Sequence, residues 1–188
     1  MNKTFVITGR PGSGKSVQAK VLSEKTGYKI FSPGQRYREI ATEDSAFGKK
    51  IKETIDSGRL GPHWLSSFLF QEVILNIGET DGIIFEGIGR KEEEARMFND
   101  TVTWLGRPYV VLNIVVDEDA ITRRLNLRRE TESREDDDPE DIPVRIKEYD
   151  MYTKPAIDFF KAEGRCVDIN GDQPVEAVHN EIIKKLNL

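Results

Sequence analysis

The sequence predicts an α/β fold in which helices cover both faces of a mainly parallel β-sheet. Two observations predict it. Apolar runs of strand length alternate with longer segments of helical period, and these runs are apolar at nearly every position. A strand that is buried on both faces needs such continuous apolar character. With 188 residues, of which 37% are hydrophobic, the chain can bury one sizeable core, and we expect a single domain spanning residues 1–188.

The first half of the chain supplies three predicted strands and three helical segments. The strands are short runs such as FVI and IIF, whereas the helices carry apolar residues at helical spacing. In order, the elements are a strand at 3–8, a helix at 15–26, a strand at 28–32, a helical stretch at 37–57 broken near Asp44, a helix at 63–77 and a strand at 82–85.

The second half continues the alternation. The run YVVLNIVV at 109–116 is almost unbroken in apolar character, as a central strand requires. The remaining elements are helices at 92–104, 119–129, 143–163 and 175–186 and a strand at 165–170. We expect the helices that carry Trp64 and Trp104 to pack against the core.

Composition limits the partners and the compartment. The 33 acidic residues outnumber the 28 basic ones, giving a net charge of −5, so no global basic surface predicts a nucleic-acid partner. The single cysteine, Cys166, cannot form an internal disulfide. No apolar segment resembles a signal peptide or a membrane span. We therefore expect a cytoplasmic protein that does not interact with membranes.

The decapeptide GRPGSGKSVQ at 9–18 follows the first strand directly and opens the first helix. Residues 9–16 fit the pattern GxxxxGK[ST], a loop whose backbone N–H groups wrap a phosphate chain beside a helix N-terminus. A glycine-rich surface turn is the alternative, but the position between strand and helix favours phosphate. The motif predicts a core of the P-loop NTPase type that holds the phosphates of a nucleotide through Gly12, Ser13, Gly14, Lys15, Ser16 and Val17.

Two residues are candidate ligands of Mg²⁺. The hydroxyl of Ser16 is placed in the motif to ligate a magnesium ion that bridges the phosphates. Glu86 ends a predicted strand beside the loop, where an acidic residue often holds magnesium through water. An N-cap or a partner for Arg90 is the alternative role of Glu86.

Arginines are concentrated where predicted strands end and in the segment 123–145. In phosphoryl transfer, negative charge spreads over the moving group, and guanidinium forks are well suited to hold it. Any single arginine is more often a solvated surface charge. Several of them at the carboxyl ends of parallel strands, where ligands of open α/β sheets bind, favour a phosphate site.

From end to end the chain resembles the adenylate kinases and related nucleoside monophosphate kinases. GRPGSGKSVQ is similar to the family's Gly-x-Pro-Gly-Ser-Gly-Lys-Gly-Thr-Gln loop, and SPGQRYR to its Ser-Thr-Gly-Asp-x-x-Arg stretch. EGIGR stands where the family has Asp-Gly-Phe-Pro-Arg. The segment 124–157 resembles the lid and hinge of short-lid members, and NGDQPVEAV resembles the loop beside the bound adenine.

The resemblance implies a role for each matching residue. Acceptor nucleotide binding is implied for Ser32, Arg38, Gly87, Arg90 and Glu94, and donor binding for Arg124, Arg128 and Gln173. Arg134 and Arg145 match the arginines that close on the transferred group, with Lys15 and Arg90 the other implied catalytic residues. Asp136 and Asp137 correspond to carboxylates that hold the lid arginines. The resemblance also implies an acceptor-binding insertion at about 32–61 and a short lid at about 129–137.

The chain departs from the family pattern mainly at the acceptor site. Pro33 and Gln35 replace a threonine and an aspartate, and Ile88-Gly89 replaces Phe-Pro. Glu94 stands where the family has the glutamine that reads the acceptor adenine. An ionised carboxylate accepts hydrogen bonds but donates none, so guanine or cytosine suits it at least as well as adenine.

We expect an adenylate-kinase-like phosphotransferase, MgATP plus AMP giving two ADP, acting as a monomer. A UMP/CMP kinase or another monophosphate kinase is the nearest alternative. A non-catalytic ATP-binding module is the alternative of another class, and Pro33, Gln35 and Gly89 favour it. The presence of every arginine expected near the moving phosphate argues against it.

Overall fold

The computed structural model describes residues 3–131 and 141–188, apart from the side chains of residues 126–131 and 141. Within these ranges, five strands form one sheet: β1 Thr4–Gly9, β2 Lys29–Phe31, β3 Ile83–Glu86, β4 Tyr109–Val115 and β5 Cys166–Asn170. The helices are α1 Lys15–Thr26, α2 Pro33–Ala41, α3 Ala46–Asp56, α4 His63–Asn76, α5 Glu92–Trp104, α6 Glu118–Thr131, α7 Asp141–Glu148, α8 Lys154–Ala162 and α9 Val175–Leu186. A π-helical turn, Tyr149–Thr153, joins α7 to α8.

All strand pairs in the sheet are parallel, and the strand order is β2-β3-β1-β4-β5. After β1 the chain goes to one side for β2 and β3 and to the other side for β4 and β5. Ligands of such sheets bind where the chain changes side, beyond the carboxyl ends of the strands. This edge of the sheet is where β1 ends at Gly9 and β3 ends at Glu86. The predicted fold class is confirmed.

The sheet separates two apolar layers because successive residues of a strand point to opposite faces. On β1, Phe5 and Ile7 pack with residues of α1 and α9, whereas Val6 packs with residues of α4, α5 and α8. All three side chains are at most 1% exposed. This burial on both faces explains why β1 is apolar at nearly every position.

A third apolar cluster lies outside these two layers. It joins α2, α3 and the start of α4 through Ile40, Ile51, Leu65 and Leu69. The predicted break near Asp44 falls between α2 and α3. Residues 33–56 therefore pack against the start of α4 around a small core that is separate from the two sheet layers.

The stretch 143–163 is helical as expected, with a detail that the sequence did not reveal. A π-helical turn, Tyr149–Thr153, lies within it before Pro155, which cannot donate a hydrogen bond to a preceding carbonyl. The helices that carry Trp64 and Trp104 do pack on the sheet, but both tryptophans face outwards, 58% and 81% exposed. In the described part of the chain, no helix is both long and apolar enough to span a bilayer.

Candidate functional site

The loop between β1 and α1 has the backbone form that the motif predicts. Gly14, directly before α1, has a φ of +91°, in the left-handed region that favours glycine. The first N–H groups of α1 have no carbonyl partner within the helix, so they are available to an anion. Ser13 is 3% exposed, and its Oγ finds no hydrogen-bond partner among the described residues. A phosphate oxygen would satisfy these groups.

Lys15 is held across this loop. Its Nζ donates hydrogen bonds to the carbonyl oxygens of Gly9, at 2.9 Å, and Arg10, at 2.8 Å. Both carbonyls belong to the loop itself, so the ammonium is oriented before any ligand binds. Pre-orientation of this kind lowers the cost of stabilising charge that develops during a reaction.

Glu86 lies opposite the loop at the end of β3. The Ser16 hydroxyl donates to its carboxylate, with 3.3 Å between Oγ and Oε1. Burial alone would raise the pKa of Glu86, but the nearby charges of Lys15 and Arg90, together with hydrogen bonds from Ser32 and Ser16, outweigh it and lower the pKa. Glu86 is therefore ionised at neutral pH and interacts with Arg90 as well as with the loop.

Ser16 and Glu86 fit a magnesium ion. Magnesium prefers oxygen ligands and is usually held by one or two protein groups plus substrate phosphates and water. Among the described residues, no group of three or more histidine, cysteine or acidic side chains is arranged so that it could hold a metal ion by itself. A hydroxyl and an ionised carboxylate beside an anion-binding loop suit a metal that arrives with a phosphate ligand.

One cleft of about 510 Å³ lies at this edge of the sheet. It brings together loop residues, strand-end residues and arginines that are far apart in sequence. Of the predicted site residues, Gly12, Ser13, Gly14, Lys15, Ser16, Val17, Ser32, Arg38, Glu86, Gly87, Arg90, Glu94, Arg124, Arg145 and Gln173 line it. Arg134, with Asp136 and Asp137, lies outside the described residues, and Arg128 lies on α6 outside the described side chains.

Arg38 and Arg90 lie on the α2 and β3 sides of the cleft. The guanidinium of Arg38 donates to Oε1 of Gln35 at 3.0 Å, so one departure from the family pattern contacts an expected phosphate-binding residue. The guanidinium of Arg90 lies against Gly87. A Cβ at Gly87 would stand 2.5 Å from Nη2 of Arg90, so a larger residue there would displace the guanidinium. Gly87 therefore leaves room for Arg90.

Glu94 is buried at the base of the cleft, only 3% exposed. Its Oε2 accepts a hydrogen bond from the backbone N–H of Arg90 at 3.0 Å. Burial raises the pKa of Glu94 to about 7, although the hydrogen bond and charge of Arg90, the Ser66 hydroxyl and Lys91 act in the opposite direction. At neutral pH a large fraction of Glu94 is protonated and can donate a hydrogen bond as well as accept one.

Tyr37 lies beside Glu94 and was missed from the sequence. Its ring lies beside Gly61, and its buried hydroxyl lies near the Ser66 side chain without a well-aligned hydrogen bond among the described residues. Burial raises the pKa of this hydroxyl, with Glu94 contributing in the same direction. A ligand entering this part of the cleft would meet a neutral O–H group. Its place in SPGQRYR, one residue before Arg38, was the available signal.

The other end of the cleft is formed by α6 and the loop after β5. Nη2 of Arg124 donates to the carbonyl of Gly171 at 2.8 Å. Gln173 uses its side-chain amide to donate to the Asn170 carbonyl and to Glu181, both at 2.8 Å. The Arg124 bond connects α6 to this loop, and the two Gln173 bonds hold the loop to β5 and α9.

A hydrogen bond joins the two walls of the cleft. The backbone N–H of Leu60 donates to Oε2 of Glu148 at 3.0 Å, connecting the segment after α3 to the end of α7. Both residues line the cleft, as does Arg145 on α7. Because the partners are 88 positions apart, no local pattern could have revealed this bond.

Comparison with known proteins decides the family. A family model described as adenylate kinase matches residues 7–165. The chain belongs to the adenylate kinase family. It is 34% identical over 179 residues to an adenylate kinase of Cyanothece sp., with 95% of this chain and 92% of that protein covered. It is 28% identical over 186 residues to human adenylate kinase isoenzyme 1, with 98% and 94% covered.

A third relative comes from another organism. An adenylate kinase of Archaeoglobus fulgidus is 29% identical over 206 residues, with 95% of each chain covered. The resemblance inferred from the motifs is thereby confirmed over nearly the whole chain. The predicted enzyme class, a nucleoside monophosphate kinase that transfers phosphoryl groups, is confirmed with it.

Proposed function

We propose that this protein catalyses the reversible transfer of the γ-phosphoryl group of ATP to AMP, giving two ADP. The observation that carries the proposal is the convergence of the phosphate loop and four arginines on one cleft. The arginines are Arg38, Arg90, Arg124 and Arg145. Two nucleotides that meet head to head repel each other, and oriented cations offset this repulsion.

The cations of the cleft divide between the two nucleotides. Lys15 and the loop hold the β- and γ-phosphates of ATP, and Arg124 supports the donor from α6. Arg38 and Arg90 hold the phosphate of the acceptor, on the side of α2 and β3. Arg145 on α7, with Arg134, is assigned to the group in transfer. No residue forms a phosphoester, since direct in-line transfer needs only position and charge.

Ser16 and Glu86 would hold Mg²⁺, Glu86 through water. When bound, the ion neutralises phosphate charge and orients the transferred group. The support for this assignment is the ionised state of Glu86 and its hydrogen bond with the Ser16 hydroxyl. The protein holds the Glu86 carboxylate and the Ser16 hydroxyl next to each other beside the phosphate loop.

When Glu94 is protonated, the acceptor site can form hydrogen bonds with adenine. The adenine edge presents an amino donor and an unprotonated ring nitrogen. A neutral carboxyl can accept from the first and donate to the second, as the family glutamine does with its amide. The buried position of Glu94 supports this assignment because it favours the neutral form of the carboxyl.

Substitution of Glu94 by glutamine is expected to remove a pH dependence of AMP use. Between about pH 6 and about pH 8, kcat/KM for AMP in the wild type should fall about tenfold relative to Glu94→Gln. The reason is that ionisation of Glu94 removes the donor, whereas the amide keeps it. Steady-state kinetics at saturating MgATP measure this ratio, and the titration of the AMP phosphate affects both proteins equally. A constant ratio across this range would contradict the assignment.

The same substitution affects stability with a defined sign. The folded-state pKa of Glu94, about 7, lies above its ordinary value of 4.5, so the protonated group favours the folded state. Its stabilising contribution is complete below pH 4.5 and is lost as the pH rises through about 7. The Tm of the wild type minus that of Glu94→Gln should therefore decrease over this range.

A coupled assay with a panel of acceptors tests the proposed reaction. MgATP is combined in turn with AMP, CMP, UMP, GMP and their deoxy forms, and ADP formation is followed. The highest kcat/KM should be found with AMP. A preference for CMP or UMP would identify a pyrimidine monophosphate kinase, and no ADP with any acceptor would favour a binding module.

The domain organisation, monomeric state and cytoplasmic location belong to the same proposal. The small apolar cluster of α2, α3 and α4 supports an acceptor-binding insertion at about 32–61. The short lid at about 129–137 stays a prediction from the sequence, as do the monomer and the cytoplasm. Size-exclusion chromatography with light scattering at several concentrations would test the monomer.

A further inference from the structure

Arg10 makes an unusual set of contacts for a phosphate-loop residue. Its guanidinium donates to Oε1 of Glu118 through Nη1, at 2.5 Å, and to Oδ1 of Asp150 through Nη2, at 3.0 Å. It also lies over the ring of Tyr149, 5.3 Å from the ring centroid. Arg10 is not one of the residues that line the cleft. Its side chain therefore contacts neighbouring elements and leaves ligand binding to the loop backbone.

The partners of Arg10 belong to two separate elements. Glu118 is the first residue of α6, which carries Arg124. Tyr149 and Asp150 begin the π-helical turn that directly follows α7, which carries Arg145. The two elements are joined to the loop by one guanidinium, whose fork reaches a carboxylate on each.

The backbone of Arg10 adds a third connection. Its carbonyl oxygen accepts the hydrogen bond from Nζ of Lys15 at 2.8 Å. One residue therefore contacts the loop lysine through its backbone and, through its side chain, the elements that carry two cleft arginines. The motif GxxxxGK[ST] asks for no particular side chain at this position. The loop can bind phosphate without a guanidinium there, so the motif does not explain the contacts of Arg10.

The arrangement differs from an isolated surface ion pair in the number of partners that one arginine holds. Single exposed pairs contribute little, because two long side chains must be ordered in water. Here the arginine side chain is only 20% exposed, and it holds two carboxylates and an aromatic ring at once. A planar fork can bind two acceptors in a fixed relative position, which a lysine ammonium cannot do as well.

We propose that Arg10 is a positioning residue that fixes α6 and the end of α7 against the phosphate loop, and so sets where Arg124 and Arg145 stand in the cleft. The inference rests on the proposed function for what those arginines do. Arg38, Arg90 and Glu94 stand on α2 and around α5, and the contacts that Arg10 makes with other described residues reach neither helix. Loss of Arg10 should therefore affect the donor side and the transfer step while leaving the groups that bind the acceptor, Arg38, Arg90 and Glu94, in place.

Kinetics of Arg10→Gln test the inference. We expect kcat/KM for ATP to fall about tenfold, since small misplacements of transfer groups are costly. KM for AMP should stay within about twofold of wild type, because the acceptor groups keep their supports. A substitution that only destabilised the fold would not lower kcat/KM for ATP while leaving KM for AMP unchanged. An equal rise in both KM values, or wild-type kinetics, would overturn the proposal.

The matched control is Arg96→Gln. Arg96 also pairs with a carboxylate, Glu92, at 2.6 Å, and lies over an aromatic ring, Phe159, at 4.7 Å. It stands on α5 and does not line the cleft. Arg96→Gln should keep wild-type kinetics for both substrates. If it reproduces the Arg10→Gln kinetics, the effect comes from losing any surface arginine and the proposal fails.

A double-mutant comparison of Arg10→Gln and Asp150→Asn tests the same inference with more than one variant. Asp150→Asn alone should lower kcat/KM for ATP, and adding it to Arg10→Gln should change little more, because the pair acts as one unit. Additive effects would overturn the proposal. If Arg10→Gln does not fold, Glu118→Gln and Asp150→Asn each remove one partner and must show the same split between ATP and AMP.

Calorimetric titration with a non-hydrolysable ATP analogue separates this inference from the proposed reaction. Arg10→Gln should bind the analogue about fivefold more weakly than the wild type and Arg96→Gln, a change in Kd that corresponds to about 1 kcal/mol. A wild type that turns over no acceptor would refute the proposed function, and this binding comparison would still test Arg10. Equal affinities in all three proteins would refute the role of Arg10 alone.

Discussion

Replacement of Lys15 by methionine is expected to lower kcat/KM for ATP by about a thousandfold, the scale reported for loss of one pre-oriented charge-stabilising group. Lys15 is held at the loop by the carbonyls of Gly9 and Arg10, so its ammonium is in place before substrate binds. Methionine keeps much of the length and removes the charge. Steady-state kinetics with AMP as acceptor measure the effect.

The control for charge loss is Lys161→Met. Lys161 pairs with Asp168 at 2.7 Å, and neither residue lines the cleft. This variant should keep wild-type kcat/KM. Thermal melts should show that Lys15→Met remains folded, because Lys15 is only half-buried. If Lys15→Met retained more than about a tenth of wild-type activity, the assignment of the loop to ATP phosphates would be wrong.

Replacement of Arg90 by alanine is expected to lower kcat/KM for AMP about a hundredfold, corresponding to about 3 kcal/mol for a lost charge-assisted contact. The guanidinium lines the cleft beside Gly87, whereas the hydrogen bond to Glu94 comes from the backbone of Arg90 and survives the substitution. The truncation therefore removes the cation without removing the support of Glu94. Kinetics at varied AMP and saturating MgATP measure the loss.

Arg96→Ala is the matched control, one turn into α5 and outside the cleft. It should leave KM for AMP unchanged. Affinity for ATP, measured without acceptor, should be unchanged in both variants. An Arg90→Ala enzyme with normal kcat/KM for AMP would show that the acceptor phosphate lies elsewhere.

The sequence was most informative where a signal is local. The loop motif predicted the turn at Gly9–Ser16, and continuous apolar runs predicted β1 and β4 to within a residue because both faces of those strands are buried. The helix break near Asp44 was also visible in the local pattern. Arginines near the ends of parallel strands converge because those ends share one edge of the sheet.

Features that depend on distant parts of the chain were not predictable in this way. The exposure of Trp104 depends on which face of α5 meets the sheet, and the sequence had predicted only that the helix packs against the core. The neutral form of Glu94 depends on burial beside groups distant in sequence, such as Ser66 on α4, which no local pattern reveals. The contacts of Arg10 join positions more than 100 residues apart.

The acceptor site contains one feature that the sequence predicts and one that only the fold determines. The sequence shows that Glu94 departs from the family pattern, and an ionised carboxylate offers no donor to an unprotonated ring nitrogen. The structure changes this expectation, because the buried carboxyl has a pKa of about 7 and is partly protonated at neutral pH. The sequence shows that the residue is a glutamate. Its protonation state depends on burial, which only the folded structure shows.

Binding of a dinucleoside pentaphosphate, two adenosines joined through five phosphates, probes both nucleotide positions at once. Calorimetry should give one molecule bound per chain, and the compound should compete with ATP and with AMP. The affinity for the compound should fall in both Lys15→Met and Arg90→Ala, because Lys15 binds phosphates at the donor position and Arg90 binds a phosphate at the acceptor position. Competition with ATP alone, and no loss of affinity in Arg90→Ala, would contradict a cleft that holds donor and acceptor end to end.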